Sequence, residues 1–572
     1  MANREIARIF LEMADMLALQ GVEFRPRAYR NAALSIESLP EDISSIYSRG
    51  GLSALREIPG VGESIAKKIE EFLKTGKVRS HLKLKKEFPI DLEALGAVGG
   101  IGPKKAMRLY LELGVKDIGT LEKAAKDGKI RKLSGFGEKS EKKILSGLGF
   151  AKAGAGRMPL AEASALVREL REKLRGCGEL DYLEAAGSYR RGKETVGDLD
   201  LLAISKNPSR IMKYFLSMYP GSFVIMRGEK RSSIRLPSGT QVDLRVFPED
   251  EFGSALMYFT GSKEHNVGMR KIAISKKMKL NEYGLFSGKR RVAGKTEEEV
   301  YKKLGMDFVP PELRENMGEI EAAGKGKLPK LVEQSDVRGD LHCHSKWSGD
   351  ASGSLEELAK TAQSLNYEYL LISDHGGPEV RIVNGLDEKR LRKQMKEIGR
   401  LNKKSGKITL LRGVETNILK DGKIDLPDSI LRELDIVLAS IHSNFSQPSQ
   451  AITKRIISAM ENEHVDIIAH PTERIIGSRP PLQMDFGEVV DAAKRTGTSL
   501  EINCQPGRMD LDSQHILSAK GKASFSLGSD SHFPSQLSLM EFGVLNARRG
   551  WCEKKDVLNC LSLKDLRKKF GF

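Results

Sequence analysis

The sequence predicts a multidomain chain of mixed class, α+β in its first half and α/β in its second. Three observations carry that expectation. A Gly-x-Gly pattern recurs three times within the first 150 residues, and an Asp-x-Asp run near residue 200 is followed by a second acidic strand. From Arg338 onward, seven short apolar runs each end in a histidine, carboxylate or amide. At 572 residues the chain exceeds what one hydrophobic core organises, so several domains are expected.

Apolar residues make up 40% and charged residues 30%, the composition of a folded protein. No apolar run approaches the roughly 20 residues that span a bilayer. At the N-terminus, Ile6, Ile9, Phe10, Met13 and Leu17 fall at helical spacing between charges, an amphipathic helix rather than a signal peptide. The five cysteines form no Cys-x-x-Cys pair, which argues against a disulfide framework and for a cytoplasmic protein. Lys and Arg outnumber Asp and Glu by 94 to 77, a net charge of +17 that attracts polyanions. Eight of the ten histidines lie between His342 and His532, so the second half differs chemically from the first.

The first repeat is Ile58-Pro59-Gly60-Val61-Gly62, the second Val98-Gly99-Gly100-Ile101-Gly102, the third Leu133-Ser134-Gly135-Phe136-Gly137. Each Gly pair (Gly60 and Gly62, Gly100 and Gly102, Gly135 and Gly137) precedes a Lys-rich helical stretch. Glycines permit positive φ and remove side chains, so successive N–H groups can turn toward a phosphate, and the helix start adds its dipole. Three copies 40 and 35 residues apart make helix-hairpin-helix modules that bind the DNA backbone without reading sequence. Upstream, Phe24 to Arg30 is basic and aromatic. Arg25 and Tyr29 there either line a pocket for a DNA end or start a helix packed on the domain.

The middle of the chain opens with an amphipathic helix, Leu160 to Leu174, followed by Ala186-Gly187-Ser188-Tyr189-Arg190-Arg191-Gly192 and Gly197-Asp198-Leu199-Asp200-Leu201-Leu202. On a strand Asp198 and Asp200 share a face, and Asp243 occupies the open face of Gln241 to Val246. Side-by-side carboxylates repel and desolvate one another unless a cation lies between them. Three on neighbouring strands can hold two Mg²⁺ or Mn²⁺ ions roughly 3.5–4 Å apart, the clamp for in-line phosphoryl transfer. Gly187, Ser188 and Arg191 supply donors for triphosphate oxygens.

The second half alternates apolar runs with amphipathic segments such as Leu355 to Leu365 and Ile452 to Met460. Strand–helix alternation implies a parallel sheet, and seven units with reactive strand ends imply a barrel with its site on the C-terminal face. Six histidines and several acids on one rim repel one another without a metal. The mixed donor set suits two to three ions of Mn²⁺, Zn²⁺ or Fe²⁺.

These motifs, in this order, resemble family X DNA polymerases, the group containing DNA polymerase beta, with a C-terminal PHP (polymerase and histidinol phosphatase) domain. The resemblance implies a helical helix-hairpin-helix region, a nucleotidyltransferase palm with a mixed sheet, and a C-terminal distorted (β/α)7 barrel. It divides the chain into a lyase-like DNA-end-binding domain (1–80, first repeat), fingers (81–153, second and third repeats), palm (154–250), thumb (251–318) and PHP domain (337–572), and a Gly-, Lys- and Glu-rich stretch with no clear apolar period marks a linker (319–336) between the last two. By resemblance Asp198, Asp200 and Asp243 are the catalytic metal carboxylates, Asp243 deprotonating the primer 3′-hydroxyl. Ser188 and Arg191 would grip the triphosphate. Tyr258, Phe259 and Gly261 would pack on the incoming sugar, and Asn266 and Arg270 would contact the nascent pair and template. Lys68 matches the family's Schiff-base lysine, with Ser64 where the family has a neighbouring basic residue, and a plain phosphate contact by Lys68 remains open. The PHP resemblance assigns His342, His344, Asp350, His375, Glu415, His442, His470, Asp530 and His532 as metal ligands, Glu415 bridging. Trp347-Ser348-Gly349-Asp350 departs from the family's Trp-Ser-Asp-Gly, displacing Asp350 by one position. Asp374, Glu501 and Asn503 are expected to orient ligands, Cys343 to point away, and His464 and His515 to be structural helix residues.

The expected activity is template-dependent gap filling on gapped or nicked DNA with dNTPs by a monomer, plus 3′-5′ exonuclease or other 3′-end phosphoesterase action by the PHP domain. The resemblance leaves cleavage at abasic sites and removal of a 5′-deoxyribose phosphate as further activities. A template-independent nucleotidyltransferase and a DNA-end-binding protein with an inactive barrel are the alternatives.

Overall fold

A computed structural model describes residues 2–20, 22–37, 39, 42–91, 94–95, 98, 101, 103–138, 140–142, 144–145, 148, 157–380, 385–404 and 407–572. The chain forms two compact units. One comprises residues 1–155 with 473–481 and 533–536, and the other comprises the remainder. Among the described residues no helix is long and apolar enough to cross a membrane.

The first unit is helical. Its helices include Ala2–Leu19, Arg25–Glu37, Ile43–Arg56, Glu63–Thr75, Arg79–Glu87, Pro103–Leu113 and Ile118–Lys126. The N-terminal helix buries Ile6, Phe10, Met13 and Leu17, the residues its 3.6-residue period selects. The three Gly-x-Gly repeats close with the same backbone turn: Val61 N–H donates to Ile58, Ile101 to Val98, and Phe136 to Leu133.

The second unit begins with β1 (Met158–Pro159) and the helix Leu160–Arg175. It continues through β2 (Tyr182–Ala185), the helical turn Gly187–Arg190, β3 (Thr195–Val196), β4 (Asp198–Ile204), β5 (Phe223–Met226), β6 (Arg231–Arg235) and β7 (Gln241–Val246). Strands β2-β4-β7-β6-β5 form one sheet, in which β4 and β7 are parallel and the other pairs antiparallel. The sheet is mixed, as expected. Leu199 and Leu201 on β4 and Val242 and Leu244 on β7 are fully buried, so the alternation of period two fixes which face carries the acids.

The helices Phe252–Thr260 and Lys263–Ser275 follow, then a three-stranded sheet of β8 (Lys279–Asn281), β9 (Gly284–Ser287) and β10 (Arg290–Ala293), and the helix Glu297–Lys303. The stretch 319–336, expected as a linker, is ordered and packed instead. Glu319–Gly324 is helical, and Glu319 accepts hydrogen bonds from the Asn316 and Met317 amides and lies 2.6 Å from His265 Nδ1. Leu331 and Val332 are buried. Polar anchoring replaces the apolar period whose absence suggested a linker.

From residue 339 onward, eight strands lie in one wholly parallel sheet. They are β11 (Gly339–Asp340), β12 (Tyr369–Ile372), β13 (His375–Gly376), β14 (Thr409–Asn417), β15 (Ile436–Ser440), β16 (Ile467–Ile468), β17 (Ser499–Asn503) and β18 (Phe525–Gly528). The order is β11-β12-β14-β15-β16-β17-β18, with β13 beside β14. A parallel bridge between Cys343 and Ser531 draws the two edges together, giving the nearly closed barrel the sequence implied. His515 lies in the helix Ser513–Ala519, whereas His464 lies in a turn beyond the helix Ser449–Met460.

Glu297 ties the Gly187–Arg190 turn to the three-stranded region. Its carboxylate is almost fully buried and accepts from Arg190 at 3.0 and 2.7 Å and from Arg314 at 2.6 Å. Burial raises its pKa, but the two guanidinium groups outweigh this and hold it below the ordinary value. Glu297→Ala leaves two guanidinium groups without their partner and is expected to cost about 3–5 kcal/mol, seen as an earlier urea midpoint at pH 7. The folded value is depressed, so this contribution is complete above the unfolded carboxylate range and is lost as pH falls through the folded one. The gap between variant and parent should therefore close in acid.

Candidate active sites

The parallel register of β4 on β7 sets Asp200 directly beside Asp243, with Asp198 opposite Gln241. Asp198 is exposed, Asp200 half-buried and Asp243 buried. Burial raises the pKa of Asp200, and the charges of Asp198 and Asp243 add to this against the pull of Arg245. Burial opposes the ionisation of Asp243 too, yet bonds from Ser233 and Gln241 and the charges of Arg245 and Arg231 leave it below its usual value. The Arg245 guanidinium donates to Asp200 at 2.6 Å and to Asp243 at 2.8 Å, bridging the pair. Its Cζ lies 4.4 Å from the Phe259 ring centroid. A cation already mediates between these acids, and clustered carboxylate oxygens fit a divalent ion. Sequence reasoning passed over Arg245, although Asp243-x-Arg245 places both side chains on one face of β7.

Gly187 approaches Asp200 closely. Its φ is +63°, and an added Cβ would lie 3.1 Å from Asp200 Oδ2. Ser188 follows in the same turn. Arg191 is held by Glu315 at 3.0 Å and by the Thr260 carbonyl. Gly261 has φ +69°, and a Cβ there would meet Arg191 Nη1 at 3.2 Å. Tyr258 and Phe259 end the helix Phe252–Thr260, and Asn266 Nδ2 donates to the Tyr258 carbonyl at 2.7 Å. Asn266 Oδ1 is buried with no hydrogen-bond partner among the described residues, so it can accept from a ligand. Arg270 is exposed one helical turn on, its Nε 3.3 Å from the Asn266 carbonyl.

The barrel gathers all nine sequence-predicted ligands. Glu415, inside β14, uses both oxygens: Oε1 lies 3.2 Å from His442 Nε2 and 2.8 Å from His470 Nε2. Its Oε2 lies 2.9 Å from His375 Nδ1 and 3.5 Å from the Nε2 atoms of His342 and His344. Asp530 Oδ1 is 3.3 Å from His344 Nε2 and 3.7 Å from His532 Nδ1. Displaced by one position, Asp350 still reaches the cluster, with Oδ2 3.4 Å from His375 Nε2 and 3.3 Å from His532 Nε2. His470 and Asp530 have φ of +29° and +48°, a backbone region that L-residues seldom adopt.

The protonation demands conflict. Burial lowers the pKa of His375, but Glu415 and Asp350 reverse this and push it up to about 10. Burial and the His532 and His375 rings press His344 down to about 3, although its ring centroid is 4.4 Å from that of His375. The Nε2 atoms of His342 and His344 face one another at 3.1 Å, and both cannot be donors. Divalent cations resolve these conflicts. Among the described residues, groups within the barrel that suit them include His344, His375 and His532; His342, His344 and Glu415; and His375, Glu415 and His442.

Around this cluster, Glu501 Oε1 lies 2.6 Å from His342 Nδ1 while its Oε2 accepts from the His470 amide. Asn503 donates to Asp530 at 3.1 Å. Asp374 accepts from the Ser345 and Ser348 amides, holding the Asp350 loop rather than a histidine. Asn417 Oδ1 lies 2.9 Å from His442 Nδ1. Sequence reasoning missed it, though Glu415-x-Asn417 alternates on one strand. Cys343 packs into the apolar core, as expected.

In the first unit, Gly60 and Gly135 have φ of +78° and +76°. Gly62 starts the helix Glu63–Thr75 without a side-chain cap, and Gly137 accepts from the Ser140 and Glu141 amides. These four glycines are exposed, whereas Gly100 and Gly102 lie outside the described residues. Arg25 is exposed. Tyr29 is buried against Phe10, at 5.5 Å between centroids, so its ring belongs to the core rather than to an open pocket surface. Lys68 Nζ is 2.9 Å from Ser64 Oγ and 6.0 Å from the Tyr29 ring centroid.

Comparison with known proteins matches residues 1–78 to a helix-hairpin-helix domain and 92–149 to a SAM-like helix-hairpin-helix tandem. Residues 157–219 match the DNA polymerase beta palm, 255–315 the DNA polymerase beta thumb, and 340–503 the PHP domain. Asp243, Asp530 and His532 lie outside these matched segments. The chain is 38% identical over 573 aligned residues, 99% of each protein, to the DNA polymerase/3′-5′ exonuclease PolX of Bacillus subtilis. It is 35% identical over 29% of its length to 61% of a probable phosphatase of Caldanaerobacter subterraneus. Over 55% of its length it is 28% identical to 56% of the DNA polymerase lambda of Rattus norvegicus. With a polymerase palm, a histidine-rich barrel and near full-length identity to such a protein, the chain belongs to the family X DNA polymerases that carry a PHP domain.

Proposed function

We propose that the chain is a template-dependent, gap-filling DNA polymerase whose barrel is a separate 3′-5′ exonuclease. The observation that carries this reading is the presence of two acid-rich clusters of different donor chemistry. One is the Asp198, Asp200 and Asp243 set on adjacent parallel strands, and the other is the imidazole-rich bowl around Glu415.

In the palm, Mg²⁺ or Mn²⁺ bound by the three carboxylates supplies neutralisation of the phosphoryl oxygens. Arg245 releases Asp200 and Asp243 for that role, and Asp243 accepts the proton of the primer 3′-hydroxyl. Ser188, the Gly187 turn and Arg191 hold the triphosphate, which requires Arg191 to leave Glu315. Tyr258, Phe259 and Gly261 meet the sugar, and Asn266 and Arg270 meet the nascent base pair and template. Gapped or nicked DNA is held through its backbone by Gly60, Gly62, Gly100, Gly102, Gly135 and Gly137, with Arg25 at the DNA end. Lys68 serves as a phosphate contact or as the amine of a 5′-deoxyribose-phosphate lyase.

In the barrel, two or three ions of Mn²⁺, Zn²⁺ or Fe²⁺ supply water activation and phosphoryl polarisation. His342, His344, Asp350, His375, Glu415, His442, His470, Asp530 and His532 hold them, Glu415 shared between groups. Glu501 fixes the tautomer of His342 through Nδ1, and Asn417 does the same for His442. The protein works as a monomer in the cytoplasm.

Asp198→Ala should reduce primer extension by roughly 10³-fold while leaving 3′ digestion intact, and His342→Ala should do the reverse. Both reactions are followed on one gapped duplex, with an untemplated primer as control. Digestion that disappears with Asp198 removes the two-site reading, and extension without template replaces the polymerase assignment. Glu501→Gln, which touches no substrate, should lower digestion and bound metal about 10- to 100-fold, with extension unaltered. Metal analysis of the purified variant checks the second half of that expectation.

A further inference from the structure

The turn that carries Ser188 and Arg191 is completed by a residue of the barrel. The helix Met540–Arg549 packs against it at Gly192, whose φ is +65° and whose added Cβ would lie 2.7 Å from Leu545 Cγ. Arg549, nearly fully buried, donates from Nη1 to the Gly192 carbonyl at 3.2 Å. Its Nη2 lies 3.9 Å from Glu315 Oε1, just beyond hydrogen-bond range, and its Nε has no hydrogen-bond partner among the described residues. A buried guanidinium with unfilled donors needs an acceptor.

The acceptor in reach is already taken. Glu315 Oε1 receives Arg191 Nε at 3.0 Å, and Lys193 Nζ stands 3.9 Å from Oε2. Three cations therefore share this largely buried carboxylate. Burial and the neighbouring positive charges lower the pKa of both Arg549 and Lys193, although Glu315 and Glu194 partly oppose this. When Arg191 turns to a triphosphate, Glu315 loses its nearest partner, and stranding a carboxylate in this place opposes nucleotide binding.

We propose that Arg549 is a positioning residue for the nucleotide site, holding the Gly187–Gly192 turn through the Gly192 carbonyl and taking over Glu315 as Arg191 engages the triphosphate. The proposal rests on the reading above that Arg191 grips the triphosphate. Arg549 touches neither substrate nor reacting atoms, and it acts through Glu315 and Arg191. On this account the barrel is a structural partner of the polymerase reaction as well as the seat of its own.

Steady-state single-nucleotide gap filling by the full-length protein tests the proposal. Arg549→Met should raise the KM for dNTP about five- to tenfold and leave kcat within about twofold, with Arg549→Lys recovering part of the loss. In a Glu315→Gln background, where no carboxylate is stranded, the penalty of Arg549→Met should shrink to the part due to the lost Gly192 contact. An unchanged KM in an Arg549→Met protein with parental 3′ digestion and melting overturns the proposal. An equal penalty with and without the Glu315 charge does so too, since it marks a merely structural role. Should Arg549→Met not fold, Glu315→Gln alone decides: it should lower the KM about threefold, and no change counts against the relay. Arg191→Met, measured in parallel, separates the two levels. A raised KM there beside an unaffected Arg549→Met removes this inference only, whereas no change in Arg191→Met removes the triphosphate reading beneath it.

Discussion

Repulsion between like charges, relieved by a cation, is the constraint on which the rest of the second unit depends. Asp200 and Asp243 are register partners on parallel strands, a placement that costs stability unless positive charge lies between them. Arg245 supplies that charge in the protein alone. The barrel repeats the problem with a different donor set, in which a single carboxylate, Glu415, faces five imidazole nitrogens at 2.8 to 3.5 Å through its two oxygens. Everything around both clusters serves to hold repelling groups in place. Buried leucines fix the strand faces, glycines permit close approach, and hydrogen-bonded neighbours fix the ring orientations.

Much of this was legible in the sequence because it follows from short periods. Alternation of period two placed Asp198, Asp200 and Asp243 on one face, and strand-end histidines identified the barrel rim. The same rule, carried one step further, would have found Arg245 beside Asp243 and Asn417 beside Glu415. Those residues were passed over because each looks ordinary until its partner's position is known. Long-range pairings had no local signal, even where a residue's role did: Glu501 was expected to orient a ligand, but nothing said which one. Glu501 lies 159 positions from His342, and no pattern within either segment announces that contact.

Composition misled where polar contacts do the packing. The 319–336 stretch lacks an apolar period, yet Glu319 anchors it to the His265 side chain and two backbone amides. Tyr29 misled in the other direction: its basic neighbourhood suggested a surface, but the ring fills the core beside Phe10. His464 belongs to a turn because its helix ends at Met460. In each case tertiary context, which a linear reading lacks, overrode local character.

The ordered path of residues 319–336 bears on how the chain can be dissected. Val332 N–H donates to the Cys552 carbonyl, its own carbonyl accepts from Arg548, and Leu331 forms a bridge with Glu553. The strand that leads out of one catalytic region is thus woven into the far end of the other. A recombinant fragment cut at this stretch would strip Gly192 of Leu545 and expose apolar surface on both products. Truncated halves are therefore poor proxies for the intact enzyme, and point substitutions are the sounder way to assign an activity to either half.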